Sequence, residues 1–147
     1  LIRFYQRKKL RGKKMDLIKE LKEEHVEIMR YFEKIKILKS NEKIVEEISS
    51  LKELLIEHLK LEDRMLYPAL KDCENNKAKE AGDKFSEEMN EVSKVVLKFF
   101  DKYQDKNIIL TDYKKFINET EEIIKAVSKR VSAEETILFP LFEKYVK

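Results

Sequence analysis

Apolar side chains recur at alternating steps of three and four residues along most of the chain, which is the spacing of amphipathic α-helices. Four segments follow this rule, and their inward positions are Ile18, Leu21, His25, Ile28, Phe32 and Ile35; Ile44, Ile48, Leu51, Leu55, His58, Glu62, Met65 and Ala69; Ala78, Gly82, Phe85, Met89, Val92, Val96, Phe99 and Tyr103; and Phe116, Thr120, Ile123, Val127, Arg130, Glu134, Ile137 and Leu141. With two Gly and two Pro in 147 residues, the chain lacks the turns that many short strands require. The pattern predicts an all-α fold, an up-down-up-down four-helix bundle with left-handed packing.

Several residues predict where the helices begin, end or bend. Asp16 can cap the first helix and Thr111 the fourth, while the pair at 40–41, Ser-Asn, interrupts the pattern between the first two. Pro68 and Pro140 each leave a carbonyl four residues earlier without its helical partner, so a kink or a helix end is expected near both.

The charge is unevenly distributed along the chain. Residues 1–14 hold seven basic side chains and no acidic one, so the other 133 residues carry 25 basic and 29 acidic groups. We therefore expect a flexible basic arm at 1–14 and one acidic bundle domain at 15–147, for which nucleic acid is an unlikely partner. The sequence contains no run of about 18 apolar residues, so it predicts no membrane span. The single Cys73 cannot form an internal disulfide, which favours a reducing, cytoplasmic location.

Five inward positions of the bundle are ionisable rather than apolar: His25, His58, Glu62, Arg130 and Glu134. Burying such groups without partners costs several kcal/mol, so they must pair with one another or share an ion. His58 and Glu62 are four residues apart, which places them one turn apart on the same face of a helix. Two imidazoles and two carboxylates on one phase of three helices predict a metal site.

The two halves of the chain resemble each other. Residues 23–28 align with 87–92, and residues 58–68 align with 130–140. In the second half, Met89 stands at the position of the first histidine and Arg130 at that of the second, whereas the glutamate four residues later is present in both halves.

The ordered set of these residues resembles the hemerythrin-like, or HHE cation-binding, family over residues 16–146. That family has a His on the first helix, HxxxE on the second, His on the third, and HxxxE, or a carboxylate one residue later, on the fourth. The corresponding stretches here are Glu24-His25, His58-xxx-Glu62, Glu88-Met89 and Arg130-xxx-Glu134-Glu135. The resemblance implies a hemerythrin-like bundle.

The resemblance also implies a metal centre in the bundle core. In the family, two irons bridged by two carboxylates bind dioxygen or serve iron or redox sensing. Carried over, His25 and His58 would hold one metal, and Glu62 and Glu134 would be the bridging carboxylates, with Glu135 as the alternative to Glu134. Met89 and Arg130 stand where the family has two ligands of the second metal. A thioether suits hard iron poorly and a guanidinium cannot coordinate it, so the second metal would lack these two ligands.

Three occupancies of the site remain open from the sequence. One divalent metal could bind, with iron preferred and zinc or manganese possible. In that case Arg130 could take the place of the second metal, with its planar fork spanning Glu62 and Glu134. The site could instead be metal-free, with one protonated histidine balancing the cluster in a buried salt-bridge network of Arg, Glu and His. A di-metal site could also form by recruiting Glu88 or Glu91.

Two functions follow from these occupancies. The first is a metal-binding protein that senses or handles iron, dioxygen or nitric oxide. The second is a metal-free helical scaffold that acts through contacts with an unknown protein partner. An enzyme is not expected, because both glycines are isolated and a ferritin-like Glu-x-x-His motif is absent. Cys73 lies about four helical turns beyond His58, too far to act with it as a nucleophile.

Overall fold

The computed structural model describes residues 14–146, and these are helical throughout apart from short connections. The helices are α1 (Lys14–Ile37), α2 (Asn41–Leu61), α3 (Tyr67–Asp72), α4 (Asn76–Lys102), α5 (Lys106–Thr111), α6 (Tyr113–Ala133) and α7 (Phe139–Tyr145). The π-helical turn Glu62–Leu66 joins α2 to α3, and a second π-helical turn, Glu134–Leu138, joins α6 to α7. The all-α prediction is confirmed. Of the predicted basic arm, residues 1–13 lie outside the described residues.

Side-chain caps define several helix starts. The hydroxyl of Ser40 accepts from the Lys43 N–H at the start of α2, so the predicted interruption at this point is confirmed. The predicted caps at Asp16 and Thr111 are wrong. Asp16 lies within the first turn of α1. Thr111 is the last residue of the short helix α5, which the sequence pattern did not reveal, and Asp112 caps α6 instead.

The two π-helical turns change which side chains face inward. In a π-helix the backbone bonds run from residue i to i+5, so each turn takes up one more residue than an α-helical turn. The inward stripe is therefore displaced by one residue after each turn. Leu66 and Leu138 are fully buried, whereas Met65 is 37% exposed and Ile137 is 52% exposed. The prediction that Met65 and Ile137 face the core is wrong for this reason. The interruptions expected near Pro68 and Pro140 are present as these turns.

The apolar core consists of two clusters. The first is centred on Phe32, Phe99, Phe100 and Phe116, and the second on Leu21, Tyr67, Phe139 and Phe142. His25, His58 and Glu134 each fall between buried residues that belong to one cluster and buried residues that belong to the other. The polar side chains therefore form a layer between two apolar regions.

The four long helices make the contacts that hold this layer together. α1 packs against α2 and α6, and α4 packs against the same two helices. Within the described part of the chain, none of the helices is both long enough and apolar enough to cross a membrane.

Candidate metal centre

Four side chains meet in the polar layer. His25 comes from the middle of α1, His58 from the last turn of α2, and Glu62 and Glu134 are the first residues of the two π-helical turns. One ligand atom from each lies within 4.8 Å of those from the other three, and all four residues are buried. The structure thus brings together the four residues that the sequence predicted as metal ligands.

A carboxylate contacts the Nδ1 atom of each histidine. Glu24 Oε1 lies 2.8 Å from Nδ1 of His58, and Glu135 Oε2 lies 2.7 Å from Nδ1 of His25. Because a carboxylate can only accept, each Nδ1 carries a proton and donates it. Such carboxylates fix the ring orientation of metal-binding histidines and increase the basicity of the other nitrogen.

The Nε2 atoms of both rings face the inner carboxylates. Nε2 of His25 is 3.0 Å from Glu134 Oε1, and Nε2 of His58 is 3.4 Å from Glu62 Oε2. Burial tends to lower the pKa of His58, but Glu62 and Glu24 outweigh it and raise this pKa well above its usual value. Without a metal, a proton on His58 Nε2 would therefore compensate the carboxylates.

Glu62 is the least satisfied member of the group. Its side chain is fully buried, and neither carboxylate oxygen has a hydrogen-bond partner within residues 14–146. Burial and the neighbouring carboxylate of Glu134 raise the pKa of Glu62 well above its usual value. A buried carboxyl that has a 3.4 Å contact with His58 but no hydrogen bond is destabilising, and a cation between it and the Nε2 atoms would supply the missing interaction. The donor set therefore fits a metal ion.

Glu134 has better support than Glu62. Burial opposes ionisation of Glu134, but the hydrogen bond with His25 outweighs it and lowers the pKa of the carboxyl. The Tyr67 hydroxyl donates to Glu134 Oε2 at 3.2 Å, and burial raises the pKa of this hydroxyl, so it remains a donor. Phe139, at the position in the second half that matches Tyr67, stacks on the His25 ring with centroids 5.7 Å apart.

A family model for the hemerythrin HHE cation binding domain matches residues 16–142 of the chain. The chain belongs to the hemerythrin HHE cation-binding family. This confirms the resemblance found in the sequence. Comparisons of this hemerythrin domain with curated proteins and with solved structures find no match.

Sequence reasoning missed two contributors to this hemerythrin centre. Glu24 was noted only as the neighbour of His25, and Tyr67 only lay within the stretch 58–68 that aligns with 130–140. Glu135 was expected as an alternative ligand, but it is 34% exposed and contacts the outer nitrogen of His25. The i, i+4 pattern detects residues on one helix face, whereas these contacts cross between helices, and only the packing reveals them.

The position of Arg130 in the hemerythrin site differs from the one expected from the sequence. The guanidinium of Arg130 does not span Glu62 and Glu134. Its Nη1 donates to Glu88 Oε2 at 2.7 Å, and its Cζ lies 4.8 Å from the centroid of the Phe85 ring. Arg130 reaches the partly exposed Glu88 because that carboxylate lies on the facing helix α4.

Glu88 and Glu91, the two residues of α4 that were expected as possible ligands of a second metal, do not enter the centre. Glu91 is exposed and pairs with Lys94 at 3.4 Å. Met89 packs against the second apolar cluster. Glu88 forms an ion pair with Arg130. Neither glutamate therefore lies where it could bind a second metal.

A cavity of about 20 Å³ adjoins the hemerythrin centre. Its walls include His25, His58 and Glu134 from the centre and Met89 and Arg130 from the second half, and the remaining lining is aliphatic apart from Ser93. A space of this size holds about one water molecule.

Proposed function

We propose that this hemerythrin domain binds one divalent metal ion, iron by preference, through Nε2 of His25, Nε2 of His58 and the carboxylates of Glu62 and Glu134. The observation that carries the proposal is the meeting of these four buried groups within 4.8 Å, with Glu62 lacking a hydrogen-bond partner among residues 14–146. Two carboxylates and two neutral imidazoles carry a charge of −2, which one divalent ion neutralises. Such a neutral cluster is far less costly to bury than the charged ligands alone.

The residues in the second half of the chain support the binding of one metal ion instead of two. Arg130 brings a positive charge and Met89 a soft thioether to the positions where the family has two further histidines. Glu88 is paired with Arg130, and Glu91 faces solvent. A second divalent ion would therefore find no carboxylate or imidazole of its own among the described residues.

Imidazole and carboxylate ligands suit Fe(II), Zn(II) and Mn(II). Iron is preferred because the family resemblance implies it, and bound iron would supply an open position for dioxygen or nitric oxide. The small, mainly aliphatic cavity beside the four ligands supports a ligand of this size. The proposed role is sensing or handling of iron, dioxygen or nitric oxide in the cytoplasm.

We also propose the finer architecture expected from the sequence. Residues 15–147 would form one domain in which the four long helices run up-down-up-down with left-handed packing, and residues 1–14 would be a basic arm. The short connections and the ring of contacts among α1, α2, α4 and α6 support this arrangement.

The test is metal content. The protein is purified without chelators, reconstituted anaerobically with Fe(II), desalted and analysed by plasma mass spectrometry, with Zn(II) and Mn(II) in parallel. We expect about one equivalent of metal per chain. Less than about 0.2 equivalents of every metal would refute the proposal and leave the alternative of a metal-free scaffold acting through protein contacts.

A further inference from the structure

Glu135 connects the buried centre to solvent. Its side chain is 34% exposed, whereas those of His25 and Glu134 are 2% and 1% exposed. Glu24, which contacts the other histidine in the same way, is only 4% exposed. Among the described carboxylates that contact the two histidines, Glu135 is therefore the one that an ion in solution can reach.

The π-helical turn Glu134–Leu138 places two consecutive carboxylates on one imidazole. Successive side chains of an α-helix point in directions about 100° apart. Here Glu134 Oε1 lies 3.0 Å from Nε2 of His25, and Glu135 Oε2 lies 2.7 Å from Nδ1 of the same ring. A single histidine ring thus separates the carboxylate that meets solvent from the carboxylate inside the centre.

The contact with His25 leaves Glu135 able to bind a cation. The hydrogen bond uses Oε2, so the other carboxylate oxygen can bind an ion that arrives from solvent. Carboxylate oxygens are common ligands of divalent metals. One exposed carboxylate binds such an ion only weakly, which suits a first contact that is followed by transfer to the inner ligands.

The approach from the side of α4 is unfavourable for a cation. There the wall of the small cavity contains Met89 and Arg130, and the remaining lining from this side is aliphatic apart from Ser93. An ion that entered past aliphatic groups would lose its water before it met a ligand, which costs free energy. Arg130 also carries a positive charge. A carboxylate at an entrance has the opposite effect, because it raises the local concentration of cations and speeds their association.

We propose that Glu135 is the entry site of the metal, where a divalent cation first binds before it passes to Glu134 and Nε2 of His25. The proposal rests on the proposed function, since it concerns the path to that centre. It assigns to Glu135 a role in the rate of metal uptake, whereas the four inner ligands determine how many ions are held.

The test separates the rate of loading from the rate of release. The metal-free full chain is mixed with Co(II) in a stopped-flow instrument, and the visible absorption of the ion reports binding. Release is followed after addition of excess chelator. The salt concentration is roughly 0.15 M, at which exposed charges act over only about 8 Å.

Four variants distinguish entry from other effects. Glu135→Gln removes the charge at the entrance, and Glu135→Asp keeps it. Glu24→Gln changes the equivalent contact at the other histidine, where the carboxylate is buried. Glu91→Gln removes an exposed carboxylate on α4 and is the matched surface control.

We expect Glu135→Gln to load at least about fivefold more slowly than wild type and still to bind about one equivalent at saturation. Glu135→Asp should load within about twofold of the wild-type rate, because the charge is retained. Glu24→Gln should load at the wild-type rate and release the metal faster, since it only orients a ligand. Glu91→Gln should match wild type in both rates.

A wild-type loading rate in Glu135→Gln, or an equal slowing in Glu24→Gln, would overturn the entry site. Slow loading of Glu91→Gln would also overturn it and would place the path on the side of α4. Loss of the metal at saturation in Glu135→Gln would make this residue a ligand instead. The equilibrium metal content of wild type tests the proposed function separately. If wild type binds metal and Glu135→Gln loads equally fast, only the entry site is refuted.

Discussion

Glu24 Oε1 lies 2.8 Å from Nδ1 of His58, although 34 residues separate the two in the chain. The neighbour of Glu24, His25, is in turn contacted by Glu135 from the far end of the sequence. Each histidine is thus oriented by a carboxylate from a different helix. The centre is therefore coupled to the packing of α1 against α2 and of α1 against the helices of the second half.

Replacing Glu24 should weaken metal binding without abolishing it. In Glu24→Gln the charged acceptor at His58 Nδ1 is lost, so we expect an affinity about 10 to 100 times lower with one equivalent still bound at saturation. A competition titration against a chromophoric chelator measures this. Glu46→Gln, on the exposed face of α2, is the control and should bind as wild type. Wild-type affinity in Glu24→Gln would show that the contact does not tune the ligand.

Glu62→Gln should abolish metal binding and leave the metal-free protein as stable as wild type or more so. The amide is close in size to the carboxyl but has no charge to desolvate, and burial already raises the pKa of Glu62. Metal analysis and urea unfolding of the metal-free protein measure the two effects. Asp63→Asn, which changes the exposed neighbour, should retain the metal. A full equivalent of metal in Glu62→Gln would remove this residue from the ligand set.

The double variant Met89→His with Arg130→His should raise the metal content from about one to about two equivalents per chain. It places imidazoles at the positions that match His25 and His58 in the repeat, and it removes the positive charge. Iron content after anaerobic reconstitution is the measurement. Each single variant should remain near one equivalent, since one imidazole alone does not complete a second site. If the double variant also binds only one equivalent of iron, the loss of histidines at these two positions does not explain the absence of a second metal site.

Gly82→Ala should destabilise the bundle. A Cβ at this position would lie 2.9 Å from the Cβ of Leu70, which is fully buried in α3. Overpacking of this kind costs about 1–3 kcal/mol, which exceeds the gain of up to about 1 kcal/mol from replacing a helical glycine.

Thermal unfolding of the metal-free protein measures the effect of Gly82→Ala. Asp83→Ala, at the exposed adjacent position of α4, is the control and should change the melting temperature little. A higher melting temperature for Gly82→Ala would mean that helix propensity outweighs the close approach of α4 to α3.

The spacing of apolar residues was enough to predict the four long helices and most of their inward faces. The same spacing placed His25, His58, Glu62 and Glu134 on the inward faces of three helices, because side chains that follow the period of about 3.6 residues lie on one face of a helix. The prediction failed after Glu62 and Glu134, where the π-helical turns shift Met65 and Ile137 outward. The short helix α5 was also missed, because six residues are too few to display a period.

The sequence alone thus determined the fold class and the identity of the four central residues, since both follow from periodicity within single helices. Only the tertiary structure decided which carboxylate orients which histidine, and that Arg130 bonds Glu88 instead of Glu62 and Glu134. These pairings join residues up to 110 positions apart. Their geometry depends on the distances and rotations between packed helices, which no repeat along the chain encodes.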